Sequence, residues 1–154
     1  MRVYRLSKGS FKHDLSGKGA ELAGGRWNNK GTAVVYTAAS RSLCALEILV
    51  HLPIGLLPFD YHLVTIEIPD SAPLKEISVS DLPEDWQSIP HGNATQRIGD
   101  LFVQEREFLL LKVPSAVVKD EFNFLINPAH PDFQQVKVVE TELFEFDSRL
   151  FKGM

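Results

Sequence analysis

The residues with chemical potential in this chain lie far apart in sequence. Gly24-Gly25-Arg26-Trp27-Asn28 is the most unusual segment. Two glycines let a backbone approach another group closely, and a guanidinium follows at once. A tryptophan in a polar, glycine-rich stretch either anchors it in the core or stacks on a ligand. Arg26 is correspondingly either a surface charge or a fork for an anion, and these residues alone weigh the two equally. Glu47 is the second anomaly. On a helix it lies four residues after Leu43 and three before Val50, so it shares a face with side chains that should pack inward. A carboxylate there calls for a buried ion pair with an arginine, or else sits at the rim of a cleft. Tyr36 ends an apolar strand, and Ser115 follows Pro114 just past a buried one. Taken singly, each reads as well as a half-buried core tyrosine and an ordinary turn serine.

Several familiar chemistries lack their residues. The histidines at 13, 51, 62, 91 and 130 have no ligand spacing, and Cys44 has no partner cysteine, so no metal set is expected. After Gly24 comes Gly25-Arg26 rather than Gly-Lys-Ser/Thr, no G-x-G-x-x-G follows a strand, and no Gly-x-Ser-x-Gly is present. Cys44 cannot close an internal disulfide and reads as a small buried side chain rather than a nucleophile. A single cysteine fits a reducing, cytoplasmic location.

The elements that must position these residues follow from length and pattern. A chain of 154 residues is expected to form a single domain, residues 1–154, able to bury a core without staples. With 44% hydrophobic and 23% charged residues it is globular rather than disordered. Its formal net charge of -4 argues against direct nucleic-acid binding, which needs clustered basic residues. No signal-peptide core follows Met1, and the most apolar stretch, Leu43 to Leu57, is broken by Glu47, His51 and Pro53, so no membrane span is expected.

Val3 to Leu6 reads as a strand and residues 7–32 as a long polar loop, of the kind that is usually functional. Ala33 to Thr37 is a strand, Ser40 an N-cap, and 41–52 a helix stopped before Pro53. Phe59 to Ile68 is a strand with His62, Val64, Ile66 and Ile68 facing inward and Tyr61, Leu63, Thr65 and Glu67 outward. Residues 69–92 hold four of the nine prolines and are predicted irregular, with a turn of helix near Asp81 to Trp86. Asn93 to Glu107 is a helix, capped by Asn93, with Ile98, Leu101 and Phe102 as its apolar stripe. Strands at Phe108–Val113, Ala116–Val118, Phe122–Ile126 and Lys137–Phe146 complete six or seven. Helices do not alternate regularly with strands, so the fold class is α+β, with mixed or antiparallel sheets.

The order of these pieces resembles the RES domain family, named for Arg, Glu and Ser, the toxin partners of Xre-type antitoxins. The matching segments are Val3-Tyr4-Arg5-Leu6, Gly25-Arg26-Trp27-Asn28, and Val35 to Ser40 running into Ala45-Leu46-Glu47. Further on come Leu111 to Val118 and Glu121 to Pro131. The resemblance runs from near residue 3 to near residue 133 in one consistent order. One departure is Asn29, where the family pattern leads one to expect proline.

The resemblance implies an ADP-ribosyltransferase-like fold and an activity on NAD as substrate, with no prosthetic group and no metal. Such proteins break the nicotinamide–ribose bond and deplete NAD; some relatives pass the ADP-ribose to phosphate or to a protein. By the same resemblance Arg26, Glu47 and Ser115 are the expected catalytic residues, and Arg5, Arg26, Tyr36 and Asn127 the expected NAD-binding ones. Two arginines suit a diphosphate, an aromatic ring suits nicotinamide, and a carboxylate suits the positive charge that builds on the ribose. His13, Lys18, Arg41 and Asn123 are polar residues that would support such a site, though exposure explains each equally well. The implied partner is an Xre-family antitoxin with a helix-turn-helix domain, in a hetero-oligomeric complex and in the cytoplasm. Two other readings stay open: a protein ADP-ribosyltransferase using the same site, and a catalytically silent module that docks a partner.

Overall fold

Alternation of apolar side chains on both faces of most strands builds one central sheet, seen in a computed structural model that describes residues 1–153. Seven strands form it: β1 (Arg2–Lys8), β2 (Val35–Ala38), β3 (Tyr61–Glu67), β4 (Leu74–Glu76), β5 (Leu110–Pro114), β6 (Phe122–Ile126) and β7 (Lys137–Phe144). Their order is β4-β5-β6-β2-β1-β3-β7. Every pairing is antiparallel except β4 with β5, so the sheet is mixed and the α+β expectation holds. Three helices flank it: α1 (Lys18–Ala23), α2 (Arg41–Leu49) and α3 (Asn93–Glu105).

The sheet has a seam. Strand β1 pairs with β3 along seven residues but meets β2 only at Tyr4↔Ala38. Two half-sheets, β4-β5-β6-β2 and β1-β3-β7, therefore join at a single bridge. One face is covered by Val3, Val35, Val64, Ile66, Leu110, Phe124 and Ile126. The other carries two clusters. Trp27, Trp86, Phe102, Leu111, Val113 and Leu125 pack beneath α3, while Leu6, Ala38, Leu43, Cys44, Leu63 and Phe146 pack beneath α2.

Several expectations are corrected. Leu63, Val64, Thr65 and Ile66 are all buried, so β3 has no outward face: both sides of the sheet are covered. The 7–32 stretch is not all loop, because β1 runs to Lys8 and α1 lies within it. Gly17 starts α1 at φ +73°, packed so closely that a Cβ would stand 2.7 Å from the Val34 nitrogen. Residues 116–118 form no strand; the Val117 and Val118 amides bond the Ser115 hydroxyl instead of a neighbouring strand. A short strand, β4, does form in the proline-rich 69–92 stretch, and its helical turn falls at Val79–Asp81, before the expected place.

The helices keep their places with changed ends. Ser40 caps α2 as expected, its hydroxyl accepting from the Leu43 amide at 3.1 Å. The helix then stops at Leu49, where His51 and Leu52 turn back onto Ile48 and Leu49 in tighter bonds. Asn93 is the first residue of α3 rather than its cap; Gly92 holds the cap position without a side-chain bond. The buried stripe of α3 is Thr95, Gly99 and Phe102, and Leu101 is exposed.

Candidate active site

The seam in the sheet opens a cavity of about 90 Å³ under α2. Its walls are Tyr4 from β1, Tyr36, Thr37 and Ala38 from β2, Asn123 from β6, and Cys44, Glu47 and Ile48 from α2. Register explains the grouping: Tyr4 pairs with Ala38, and Ala38 with Asn123, so one row of side chains crosses the seam on one face.

Glu47 stands where α2 meets this row. Leu43, one turn earlier, is buried, while Val50 is exposed, so the carboxylate sits at the edge of the packed face rather than within it. No ion pair to Glu47 forms among the described residues. Two neutral donors hold its Oε1 instead: the Ser115 hydroxyl at 2.7 Å and the Asn123 side-chain amide at 2.6 Å. The Ser115 Oγ accepts from the Val117 and Val118 amides at 3.1 and 3.0 Å, which leaves its hydroxyl proton directed at Glu47.

Arg26 approaches the same carboxylate through its charge. Burial pulls its guanidinium below the ordinary arginine value, and the negative field of Glu47 opposes that shift. Its Nη1 donates to the Trp86 carbonyl at 2.6 Å and to that of Ser88 at 3.3 Å. The loop that carries it is fixed from three sides. The Tyr36 hydroxyl accepts from the Trp27 amide at 3.0 Å and donates to Asn28 Oδ1 at 2.6 Å. Gly25 lies against that hydroxyl so closely that a Cβ would stand 2.7 Å from it, which is the close approach its type suggested. From α3, Gln96 donates to the Gly25 and Asn28 carbonyls, and Asp100 accepts from the Asn29 backbone and side chain. The Asn29 departure thus has a use, since proline would lack the amide that Asp100 binds.

Trp27 is a loop anchor. It is buried and packs against Trp86, ring centroids 6.3 Å apart. Burial raises the Tyr36 phenol well above the ordinary tyrosine range, so Tyr36 acts as a neutral ring with a fixed hydroxyl. Burial likewise pushes the Cys44 thiol up to about 12, which makes it inert.

The structure brings together Tyr36, Glu47 and Ser115, with Arg26 close enough to feel the carboxylate. Of the expected residues only Tyr36 and Glu47 line the cavity itself; Arg5, Arg26, Ser115 and Asn127 stand outside its wall. Arg5 donates its Nη1 to the Asp14 carbonyl at 2.5 Å, and its charge acts on the Cys44 thiol of the cavity wall. Burial lowers its pKa and Asp14 opposes the change. Asn127 is fully buried; it donates to the Phe102 and Val103 carbonyls and accepts from the Ala129 amide, pinning the end of α3.

Of the other polar residues weighed, Arg41 pairs with Glu142 and Lys18 with Glu21. Asn123 alone joins the site. Tyr4 was visible only as a member of the strand. The signal for Asn123 was a polar side chain inside the apolar run Phe122 to Ile126. Among the described residues no group of three His, Cys, Asp or Glu is placed to hold a metal ion, and no helix is long and apolar enough to cross a membrane. A roomier open depression of about 500 Å³, lined by Met1, Glu67, Asp70, Gln134 and Lys137 among others, shares no residue with the site.

This geometry belongs to a recognisable class. The chain is 43% identical over 141 residues to a Prs ADP-ribosylating toxin of Sphingobium, covering 90% of this chain and 88% of that one. It is 41% identical over 152 residues to a Toxin Res of Yersinia enterocolitica, covering 97% and 99%, and 38% identical over 155 residues to one of Photorhabdus laumondii, covering 99% of each. In three dimensions it resembles a chain of the M. tuberculosis MbcT–MbcA toxin–antitoxin complex, with a TM-score of 0.74 at 19% identity over 98% of this chain and 86% of that one, which shows a shared fold. Residues 2–147 match the RES domain. The protein belongs to the RES domain family and is a toxin of that type.

Proposed function

We propose that the protein is the toxin of a toxin–antitoxin pair and that it consumes NAD by breaking the nicotinamide–ribose bond. The observation that carries this reading is the carboxylate of Glu47, held by Ser115 and Asn123 at the wall of a ring-sized cavity shared with Tyr36. At about 90 Å³ the cavity is far below the roughly 300–1,000 Å³ of sites that enclose a whole drug-sized ligand. It suits one planar ring, with the rest of a dinucleotide lying outside it.

The chemistry asks little of the protein. As the bond from C1′ to the ring nitrogen breaks, its electron pair leaves with nicotinamide and neutralises the pyridinium. Positive charge builds on the ribose, as in glycoside cleavage, and an ionised Glu47 stabilises it. One well-placed group of this kind contributes about 2.7–4 kcal/mol by analogy with oxyanion-hole donors. Water then adds to C1′ and loses a proton to solvent. Tyr36 supplies a ring wall. Arg26 keeps donors beyond the two bonds it makes to carbonyls, and these suit the diphosphate; Arg5, whose charge acts on Cys44 of the cavity wall, is assigned the same task. Asn127 serves through the fold, by holding α3 against the sheet.

Water is the default acceptor, with phosphate as a variant. A second reading, transfer of ADP-ribose to a protein, is favoured by one observation: a relative 43% identical is named for ADP-ribosylating Prs. The same site serves both. The partner assigned is an Xre-family antitoxin with a helix-turn-helix domain, which supplies any DNA contact, in the cytoplasm. Purified protein incubated with NAD should release nicotinamide, and Glu47→Gln should lower this by about 100- to 1,000-fold. Free ADP-ribose supports hydrolysis, and a labelled protein in cell extract supports transfer. Intact NAD in the presence of folded, uninhibited wild type overturns the assignment.

A further inference from the structure

We infer that Asn123 is a positioning residue which, with Ser115, commits one carboxylate oxygen of Glu47 to the protein and leaves the other for substrate. The inference rests on the reading of Glu47 as the acid that stabilises the ribose cation. Both donors converge on Oε1, and among the described residues none bonds Oε2. The donors come from independent elements, the turn after β5 and strand β6, so the carboxylate of α2 is held against rotation from two directions.

The orientation of Asn123 follows from elementary chemistry. A carboxylate oxygen only accepts, so Asn123 presents its Nδ2 and must turn its Oδ1 elsewhere. That Oδ1 is buried and has no hydrogen-bond partner. A buried acceptor left alone is destabilising and calls for a reason. Packing offers none. Asn123 stands in register between Val113 of β5 and Ala38 of β2, a row in which an apolar side chain would fit both neighbours and remove the orphan atom. The position therefore favours function over stability, as sites tend to.

Nicotinamide release and thermal unfolding of wild type, Asn123→Val and Asn123→Ala test this. Asn123→Val should melt at or above the wild-type temperature while kcat falls about 100-fold and KM changes little, the loss typical of a misplaced group. Asn123→Ala, which only removes atoms, should show the same kcat loss should valine crowd the strand. In a Glu47→Gln background, Asn123→Val should lower the residual rate no further, because both changes act through one carboxylate. Wild-type kcat in both Asn123 variants overturns the inference, as does a rate loss that tracks lost stability. A folded wild type that leaves NAD intact overturns the reading of the site and this inference with it.

Discussion

Ser115 accepts from two backbone amides and donates its hydroxyl to Glu47, so all its hydrogen bonds hold the protein together. Ser115→Ala should therefore lose activity and stability together, by about 1–2 kcal/mol, since two amides and a carboxylate oxygen lose a partner. Ser115→Thr, which keeps the hydroxyl, should retain most of both; urea unfolding and nicotinamide release check this. Glu47→Gln should lower nicotinamide release by about 100- to 1,000-fold, the cost of removing one preorganised charge-stabilising group. Its melting temperature should stay near wild type, because a neutral amide oxygen still accepts from both donors. Cys44 carries a pH prediction. Its thiol pKa is about 12 in the fold, against roughly 8.5 in an unfolded chain. The unfolded state thus loses the proton first, and stability falls as pH rises from about 8.5 toward 12. Unfolding midpoints measured across that range should drop less steeply in Cys44→Ala than in wild type.

At the scale of elements, α3 governs the arginine loop. A Cβ on Gly99 would stand 1.6 Å from the Trp27 carbonyl oxygen, so this helix presses directly on the loop backbone. Gly99→Ala should force the two apart, destabilising the fold by about 1–3 kcal/mol as overpacking does. NAD cleavage should fall with it, because that loop carries Arg26 and is bonded to the Tyr36 hydroxyl. Denaturant midpoints and nicotinamide release measured on the same preparations check this. The spacing of α2 was legible in the sequence, as were six of the strands, because each rests on local pattern. Helix α1 was not, since its six residues sit among glycines that read as loop. The absent strand at 116–118 was hidden for a different reason: its apolar residues suit a strand, but Ser115 captures their amides.

For the whole molecule, the seam between two half-sheets is what makes a cavity possible in an otherwise filled core. Residues 4, 36, 47 and 123 reach one place only because β1 leaves β2 after a single bridge. Expression without an antitoxin should arrest growth and lower cellular NAD within the same interval, whereas Glu47→Gln should be tolerated; growth curves with an NAD assay check both. With a net charge of -4, the chain alone should not be retained on duplex DNA at physiological salt, which a mobility-shift assay would show.

The amino-acid sequence by itself determined the class of fold, the family and the short roll of residues able to do the chemistry. Periodicity marks strands and helices, and residue type limits what a side chain can donate or accept. It did not determine which of those residues meet. Arg5 and Asn127 stood beside Glu47 and Ser115 in the family pattern, yet only the fold shows that Arg5 is bound to the Asp14 carbonyl and Asn127 to the end of α3. Asn123 gained its place through pairing across strands distant in sequence, and no local pattern encodes such a contact.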